Sequence, residues 1–493
     1  MSTDNLEVAK TGQEKGESVF DNRSLEDIYG EIQETYLADD RPWVIGYSGG
    51  KDSTTALQLI WYAIEDLPEE QRQKPIHVIS SDTLVETPKI VNHIISTLEN
   101  INEYAEKKNL PFTAHKVTPK VDDSFWVNLI GRGYPAPNQN FRWCTERLKI
   151  DPADRFIENQ VSEHGEVVVI LGARKAESAT REQVMEMHSI DGTVLSRHNK
   201  FANAFVYTPI EDWIVDDVWT YLIQAVDNPW GKNNRDLAAL YQEADDECPM
   251  VIDTKTPSCG NSRFGCWTCT VVSEDKAMEN MIDEGDEWME PLLEFRDFLK
   301  ETQDPEKKPN YRMVKGRQHG YVKEKTNGSD GIIPRAHKFE FCKDLLRKLL
   351  ETQKEVNEKI PDDEGMELIR EEELREIRRL WREERADWAD SVPKIYNDVM
   401  DDDLDWVHDD LGSFSEMEAE VLNEVCEEHD VPAELVKRLL DTEFQHYGMK
   451  RRASIYSELD KVMREDWRDL EEIVAELEGE DRIEAWEYDG VDV

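Results

Sequence analysis

The chain has 493 residues, 39% of them hydrophobic and 34% charged, with 59 basic and 108 acidic side chains and a formal net charge of -49. Such a length favours more than one domain, and the hydrophobic share is enough for a core. The charge argues against a broadly basic nucleic-acid-binding surface, since a phosphate backbone attracts cations, and no run reaches the roughly 18 to 20 apolar residues of a membrane span.

Acidic residues are spread along the whole chain, with local clusters at Asp401–Asp403 and Glu371–Glu373. This pattern points to a solvated, self-repelling surface of the kind halophiles use, in preference to discrete acidic tails. In molar salt long-range fields reach only a few ångströms, so local clusters say more about partners than the total does.

Residues 1–16 are polar, without the apolar centre of an export signal, and are predicted to form a disordered tail. Phe20, Leu25, Ile28, Tyr29 and Ile32 fall at helical spacing and predict a leading helix within 17–40. The short β-branched runs Trp43–Tyr47, Ile76–Ser80 and Val167–Leu171 then alternate with helical patterns at Thr54–Glu65 and Pro88–Lys108. That alternation predicts an α/β fold with a doubly wound parallel sheet, here bounded at 17–235 with its leading helix. Residues 236–275 hold four of the seven cysteines. From 276 to 493 the chain reads as mostly helical, interrupted by a Lys-, Gly- and Pro-rich patch at 304–335 and an acidic turn region at 401–413. No internal repeat is visible. Seven cysteines without an export signal point to a reducing cytoplasm, where thiols serve as metal ligands or reactive groups more often than in disulfides.

The first strand runs directly into Ser48-Gly49-Gly50-Lys51-Asp52-Ser53, and a helix opens at about Ser53. Glycines let a phosphate approach the backbone, and a helix N-terminus offers free N–H groups to an anion. Lys51 adds a point charge, and Ser48 and Ser53 add hydroxyl donors. The spacing is not that of Walker A, which puts four residues between its first glycine and the Gly-Lys pair. The stretch resembles the PP-loop of the ATP pyrophosphatases, which cleave ATP between the α and β phosphates. A glycine turn with no ligand is the alternative.

Further motifs follow later strands, where ligands of open α/β sheets bind. Ser81 to Pro88 follows the second strand and contains Asp82. Gly172 to Arg181 follows the strand at 167–171 and brings Arg174, Glu177 and Arg181; arginine forks suit phosphate or sulfate oxygens. Pro209-Ile210-Glu211-Asp212-Trp213 and Asp216-Asp217-Val218-Trp219 come next. Any one of these reads equally well as surface polarity or core aromatics. In order, and with Arg142-Trp143-Cys144-Thr145, they resemble the phosphoadenosine phosphosulfate (PAPS) reductase family over about 41–225. The resemblance implies that Ser48, Gly49, Gly50, Lys51, Asp52 and Ser53 hold ATP phosphates and that Asp82 sits at the nucleotide pocket. It also implies that Arg174, Glu177 and Arg181 line the substrate anion, with Mg²⁺ on the polyphosphate and Asp52 as a candidate contact.

Cys248, Cys259, Cys266 and Cys269 are separated by ten, six and two residues. Four thiolates in one short, glycine-containing segment suit Zn²⁺ or a cubane iron–sulfur cluster, while buried apolar cysteines are the alternative. Cys144 lies among Arg142, Arg147 and Lys149, cations that favour a thiolate, so it is a candidate persulfide carrier or replacement ligand. Cys342 and Cys426 fall in amphipathic patterns and are expected in the core.

The cysteine segment, with an α/β domain before it and a helical region after it, resembles the DndC family of sulfurtransferases over about 20–470. The resemblance implies an ATP-dependent enzyme of DNA phosphorothioation with a 4Fe-4S cluster, partnered by DNA, a cysteine desulfurase as sulfur donor and other phosphorothioation proteins. The very acidic surface departs from the expected pattern. DNA contact is then expected at two basic patches. One comprises Arg312, Lys315, Arg317, His319, Lys323 and Lys325, extended by Arg335, His337 and Lys338; the other is Lys450-Arg451-Arg452 beside Tyr447 and Tyr456. Ordinary salt-bridged surface is the alternative for both. A phosphosulfate reductase is weakened as a reading because no cysteine follows Cys426, and a tRNA thiolase because no RNA-binding motif is found. A non-catalytic scaffold is opposed by the presence of Lys51, Asp52 and Ser53.

Overall fold

The computed structural model describes residues 17–224, 228–238, 265–283, 285–312, 322–324, 330–332, 336–361, 365–407, 416–445 and 455–464. These fall into two compact units. One comprises 1–119 with 144–266, the other 120–143 with 267–493.

The first unit is the predicted doubly wound sheet. Its strands are β1 (Trp43–Gly46), β2 (Ile76–Ser81), β3 (Phe112–Val117), β4 (Val167–Ile170), β5 (Leu195–Arg197) and β6 (Ala204–Tyr207), in the order β3-β2-β1-β4-β6-β5. Every pairing is parallel except that of the edge strand β5 with β6. The flanking helices are α1 (Leu25–Leu37), α2 (Lys51–Glu65), α3 (Pro88–Lys107), α4 (Asp151–His164), α5 (Ala179–His188) and α6 (Val215–Gln224). Strand periodicity divides the core in two. Trp43, Ile45, Val168 and Ile170 pack into one cluster with α1, α2, α3 and α6 residues. Val44, Val167 and Val169, the alternate positions, pack on the other face with Ala153 and Ile157 of α4. β1 lies between β2 and β4, so strand order reverses there, and the crevice beyond the ends of β1 and β4 is the sheet's switch point.

Helix α1 begins at a full capping box. The Ser24 hydroxyl accepts from the Asp27 N–H and the Asp27 carboxylate accepts from the Ser24 N–H. Its first-turn position suits the carboxylate, whose pKa is held below its usual value by those hydrogen bonds.

The second unit is helical: α7 (Lys276–Asp283), α8 (Glu290–Glu301), α9 (Phe339–Lys359), α10 (Glu371–Arg385), α11 (Ser391–Met400), α12 (Glu416–Glu428), α13 (Ala433–Gln445) and α14 (Ile455–Met463). Residues 120–143 are built into it. The Trp126 indole N–H donates to the Leu368 carbonyl at 2.6 Å, and that of Trp381 to the Ile130 carbonyl at 3.1 Å. A Cβ on Gly131 would stand 2.9 Å from the Leu380 side chain, so α10 packs directly on that backbone. Cys342 and Cys426 are buried, and burial pushes the Cys342 thiol up to about 12. No helix among the described residues is long and apolar enough to cross a membrane.

His337 is fully buried in this unit. Burial first, then Arg312 and Arg385, push its pKa down to about 3 from an ordinary 6.5. The folded state therefore binds fewer protons than the unfolded one below about pH 6.5, and the contribution of His337 to stability, fully present above that value, is lost on acidification. We expect the melting-temperature advantage of the wild type over His337→Gln to shrink as the pH is lowered from about 7 to about 5 at fixed ionic strength. Calorimetric melts of both proteins check this; an advantage that grows on acidification contradicts it.

Candidate nucleotide and thiol site

The turn after β1 is fixed by its own side chains. Ser53 Oγ lies 3.1 Å from Ser48 Oγ and accepts from the Ser48 N–H at 3.2 Å, while donating to the Gly50 carbonyl at 3.0 Å. Gly49 takes φ +76°, which an L side chain rarely adopts, and Gly50 caps α2. The helix starts at Lys51, two residues ahead of its predicted start. Ser48 to Ser53 thus form a closed turn whose N-terminal amides suit an anion.

Beneath the turn lies a row of buried charges. Asp52 Oδ2 accepts from Lys51 Nζ at 2.8 Å and its Oδ1 from Arg174 Nε at 2.6 Å. Lys51 and Arg174 are 1% and 0% exposed. Burial pushes the Asp52 carboxyl up, but Lys51 and then Arg174 outweigh it and hold the pKa below its usual value. With both oxygens engaged by cations, Asp52 suits an anchor of the turn better than a Mg²⁺ ligand. The row continues: the Arg174 N–H donates to Glu177 Oε1 at 2.9 Å, and Arg181 Nη1 to Glu177 Oε2 at 2.6 Å. Burial raises the Glu177 pKa, partly offset by Arg181 and increased again by Asp52. Gly172 makes the row geometrically possible, since a Cβ there would stand 2.5 Å from the Asp52 carbonyl oxygen.

The Pro209–Trp213 motif braces the same loop. The Lys175 N–H donates to the Glu211 carbonyl at 2.7 Å, and Lys175 Nζ reaches Glu211 and Asp212 at 3.2 and 2.8 Å. Asp217 instead ties down the start of the domain, accepting from Ser18 Oγ and the Val19 N–H.

On the other side of β1, Asp82 accepts from the Leu84 N–H at 2.8 Å and from Lys116 Nζ at 3.1 Å. Sequence reasoning missed Lys116; its place on β3, paired with Ser80 of β2, was the available signal. The following residues meet the cysteine segment. Thr83 Oγ1 lies 3.3 Å from Cys266 Sγ, Glu86 pairs with Cys266 in an isolated antiparallel bridge, and the Gly265 carbonyl accepts from Thr87 Oγ1 at 3.3 Å. Cys266 is therefore held against the Asp82–Thr87 loop. Cys144 is partly exposed and begins the π-helical turn Thr145–Ile150.

In the second unit Cys269 is also partly exposed. Arg296, 1% exposed, clasps the chain after it: its guanidinium donates to the carbonyls of Cys269, Val272 and Ser273 at 2.9, 2.6 and 2.9 Å. Lys300 Nζ donates to the Thr270 carbonyl at 2.8 Å. This clamp was not legible in the sequence, because an arginine on a charged amphipathic helix reads as solvated. Cys248 and Cys259 lie outside the described residues, and among the described residues no group of three or more His, Cys, Asp or Glu is placed to hold a metal ion. Cys266 in the first unit and Cys269 in the second are each partly accessible thiols, a donor type that suits a thiolate-bound metal.

Of the expected basic patches, Arg312 and His337 are buried and form an isolated bridge with each other. Lys315, Arg317, His319, Lys325, Arg335, Tyr447 and Lys450–Arg452 lie outside the described residues.

Residues 42–272 match the family model for the phosphoadenosine phosphosulfate reductase domain, and residues 417–463 match that of a small protein found in certain Dnd DNA modification systems. The stretch that carries the first unit's nucleotide loops is therefore similar to a phosphoadenosine phosphosulfate reductase domain. An uncharacterised protein of Methanocaldococcus jannaschii is 29% identical over 222 residues, 45% of this chain and 39% of that protein. The chain thus spans about two fifths of the length of that curated relative. Among solved structures, the U34-tRNA thiolase NcsA of Methanococcus maripaludis with its [4Fe-4S] cluster is 12% identical, covering 58% of this chain and 80% of that one at a TM-score of 0.26. The FMN adenylyltransferase of Candida glabrata, in complex with FAD and inorganic pyrophosphate, is 12% identical, covering 42% and 59% at a TM-score of 0.25. Both structural likenesses are weak.

Two outcomes follow from the geometry. Asp52→Asn leaves Lys51 and Arg174 buried without their counter-charge, so it should cost about 3 kcal/mol and lower the first unit's melting temperature by roughly 6 to 12 °C. A melt indistinguishable from wild type would contradict the buried charge row. Arg296→Ala should free the Cys269 loop, raising the alkylation rate of Cys269 about tenfold for each 1.4 kcal/mol of lost local stability, as read by peptide mass spectrometry. An unchanged rate would show that the clamp is dispensable.

Proposed function

We propose that this chain is an ATP-dependent sulfurtransferase of the DndC type, which activates a DNA backbone phosphate oxygen by adenylylation and helps replace it with sulfur. The observation that carries this reading is the placement, beyond the carboxyl ends of the neighbouring strands β1 and β2, of the glycine turn Ser48–Ser53 with its buried cations and of a thiol, Cys266, against the Asp82–Thr87 loop. The domain match to a sulfur-handling nucleotide family and the second match to a Dnd-associated small protein support it.

In the proposed reaction a non-bridging DNA phosphate oxygen attacks the α-phosphorus of ATP, and the α–β bond breaks to release pyrophosphate. The amides of the Ser48–Ser53 turn and the fields of Lys51 and Arg174 stabilise the charge on the transferring phosphate. That oxygen now belongs to an AMP leaving group, and a sulfur nucleophile forms the P–S bond as AMP departs. Glu177 holds Arg181 and the Arg174 backbone in position beside the substrate anion. Asp82, pinned by Lys116, fixes the loop assigned to the nucleotide pocket. Cys248, Cys259, Cys266 and Cys269 would hold a 4Fe-4S cluster, which when bound would supply sulfide-level sulfur; Cys144 is assigned as persulfide carrier, and if its outer sulfur attacks phosphorus a second thiolate must attack the Cys144 sulfur, forming a disulfide as the phosphorothioate is released. Mg²⁺ would accompany the ATP polyphosphate. Sulfur would come from a cysteine desulfurase, with other phosphorothioation proteins as partners.

The test is mass spectrometry of nuclease-digested DNA from cells expressing the wild type, Lys51→Ala or Cys266→Ser. Phosphorothioate dinucleotides should appear with the wild type and fall below detection with either variant. Their absence from wild-type DNA, with sulfite released from a phosphosulfate nucleotide in vitro, would favour a reductase, a reading that the 42–272 match also permits.

A further inference from the structure

Helix α10 carries a feature that the proposed chemistry does not use. Its buried stripe is Leu374, Ile377, Leu380 and Trp381. On the neighbouring face Arg375, Arg378, Arg379 and Arg382 follow the i, i+3, i+4, i+7 pattern of a single stripe. With Glu383 and Trp406 they line a cleft of about 440 Å³. Four guanidiniums and one carboxylate line this cleft in a chain of net charge -49, and with the paired carboxylates of Glu371, Glu376 and Asp390 counted the patch is close to neutral where the average surface is acidic.

The arginines are held in place. Arg378 forks onto Asp390, Nε to Oδ1 at 2.7 Å and Nη2 to Oδ2 at 2.5 Å, and Arg382 lies 3.9 Å from the same carboxylate. Arg379 forks onto Glu376 and also contacts Glu383, and Arg375 pairs with Glu371. The Arg375 and Arg378 guanidiniums stand 5.1 and 5.7 Å from the Trp406 ring centroid. Of the four paired carboxylates only Glu383 lines the cleft. Guanidiniums stacked on an indole and braced by carboxylates have lost much of their rotamer freedom. From Arg375 to Arg382 the stripe rises about 10 Å along the helix, the axial span of about three phosphate-to-phosphate steps of one DNA strand.

We propose that this cleft is a docking site for the phosphodiester backbone of duplex DNA. The proposal rests on the DNA reading above for its ligand. The arginine stripe supplies sequence-independent phosphate contacts, which position a duplex without reading its bases.

The test uses the full-length protein and a fluorescein-labelled short duplex in polarisation titrations over a range of salt. Arg379→Gln/Arg382→Gln removes two cations from the partly exposed side of the stripe. Binding should weaken about tenfold at about 0.1 M salt, and the slope of log K against log salt should fall by about 1.8, near 0.9 for each lost contact. Arg379→Lys/Arg382→Lys keeps the charge and loses the forks, and should fall between the two. Equal affinity and slope in wild type and the Gln variant would overturn the proposal, as would a wild type that does not bind the duplex. Parallel titrations with inorganic phosphate and pyrophosphate separate a free-anion site: loss of those ligands alone, with duplex binding intact, also overturns it. A change in oligomeric state by light scattering, without a change in duplex binding, would reassign the cleft to a protein partner. Pyrophosphate release from ATP, assayed on the same samples, separates the two readings. Arginine-dependent duplex binding without pyrophosphate release sinks the sulfurtransferase and leaves the cleft standing; release with unaltered duplex binding does the reverse.

Discussion

The first unit depends on one buried carboxylate. Asp52 stands between Lys51 and Arg174, all three nearly excluded from solvent. An isolated charge in that position would be expelled or neutralised, so the three are kept only as a set. The set joins the end of β1 to the end of β4, the two strands between which the sheet order reverses. One electrostatic row therefore fixes both walls of the switch-point crevice. Lys51, Arg174 and Asp52 together leave one net positive charge under a turn of N–H donors, an arrangement that suits an anion.

The remaining contacts of the domain follow from that constraint. Gly172 must lack a side chain for the β4 loop to lie against the Asp52 carbonyl, and Lys175 must reach Glu211 and Asp212 for the loop to stay there. Pro209–Trp213, ambiguous as a sequence motif, is a brace: its Trp213 carbonyl lies 3.5 Å from Arg174 Nη1. On the opposite wall Asp82 is fixed by a cation from β3, and Thr83 places its hydroxyl on the Cys266 thiol. The loops after β1 and β4 thus carry buried cations, and the loop after β2 carries the contact to the Cys266 thiol.

How much of this was legible depends on the kind of force involved. Runs such as Val167–Ile170 announce buried parallel strands because both faces are covered, so β1, β2 and β4 fall within a residue or two of expectation. The glycine turn was legible because its backbone needs are unusual. Residues 120–143 show the limit. Trp126, Leu129 and Ile130 are plainly core residues, but periodicity reports which face is buried and not what buries it. The same blindness hid Arg296, whose burial follows from carbonyls of the Cys269–Ser273 stretch far away in sequence. It also made Arg312 and His337 look like surface cations, although both are buried.

Charge counting misleads in the same way and for the same reason. A total of -49 describes the average field, which salt screens within about a Debye length. What a ligand meets is the sign of the groups that line one cleft and the freedom those groups have lost. On α10 Asp390, Glu376, Glu383 and Glu371 pair with the arginine guanidiniums and fix their positions. An acidic chain can in this way build a rigid cationic stripe, because the carboxylates that make it acidic supply the bracing. Lys51 and Arg174 illustrate the same device in the first unit, where a single aspartate holds two cations beneath the glycine turn. In both places the negative charge sets the geometry in which the cations are held.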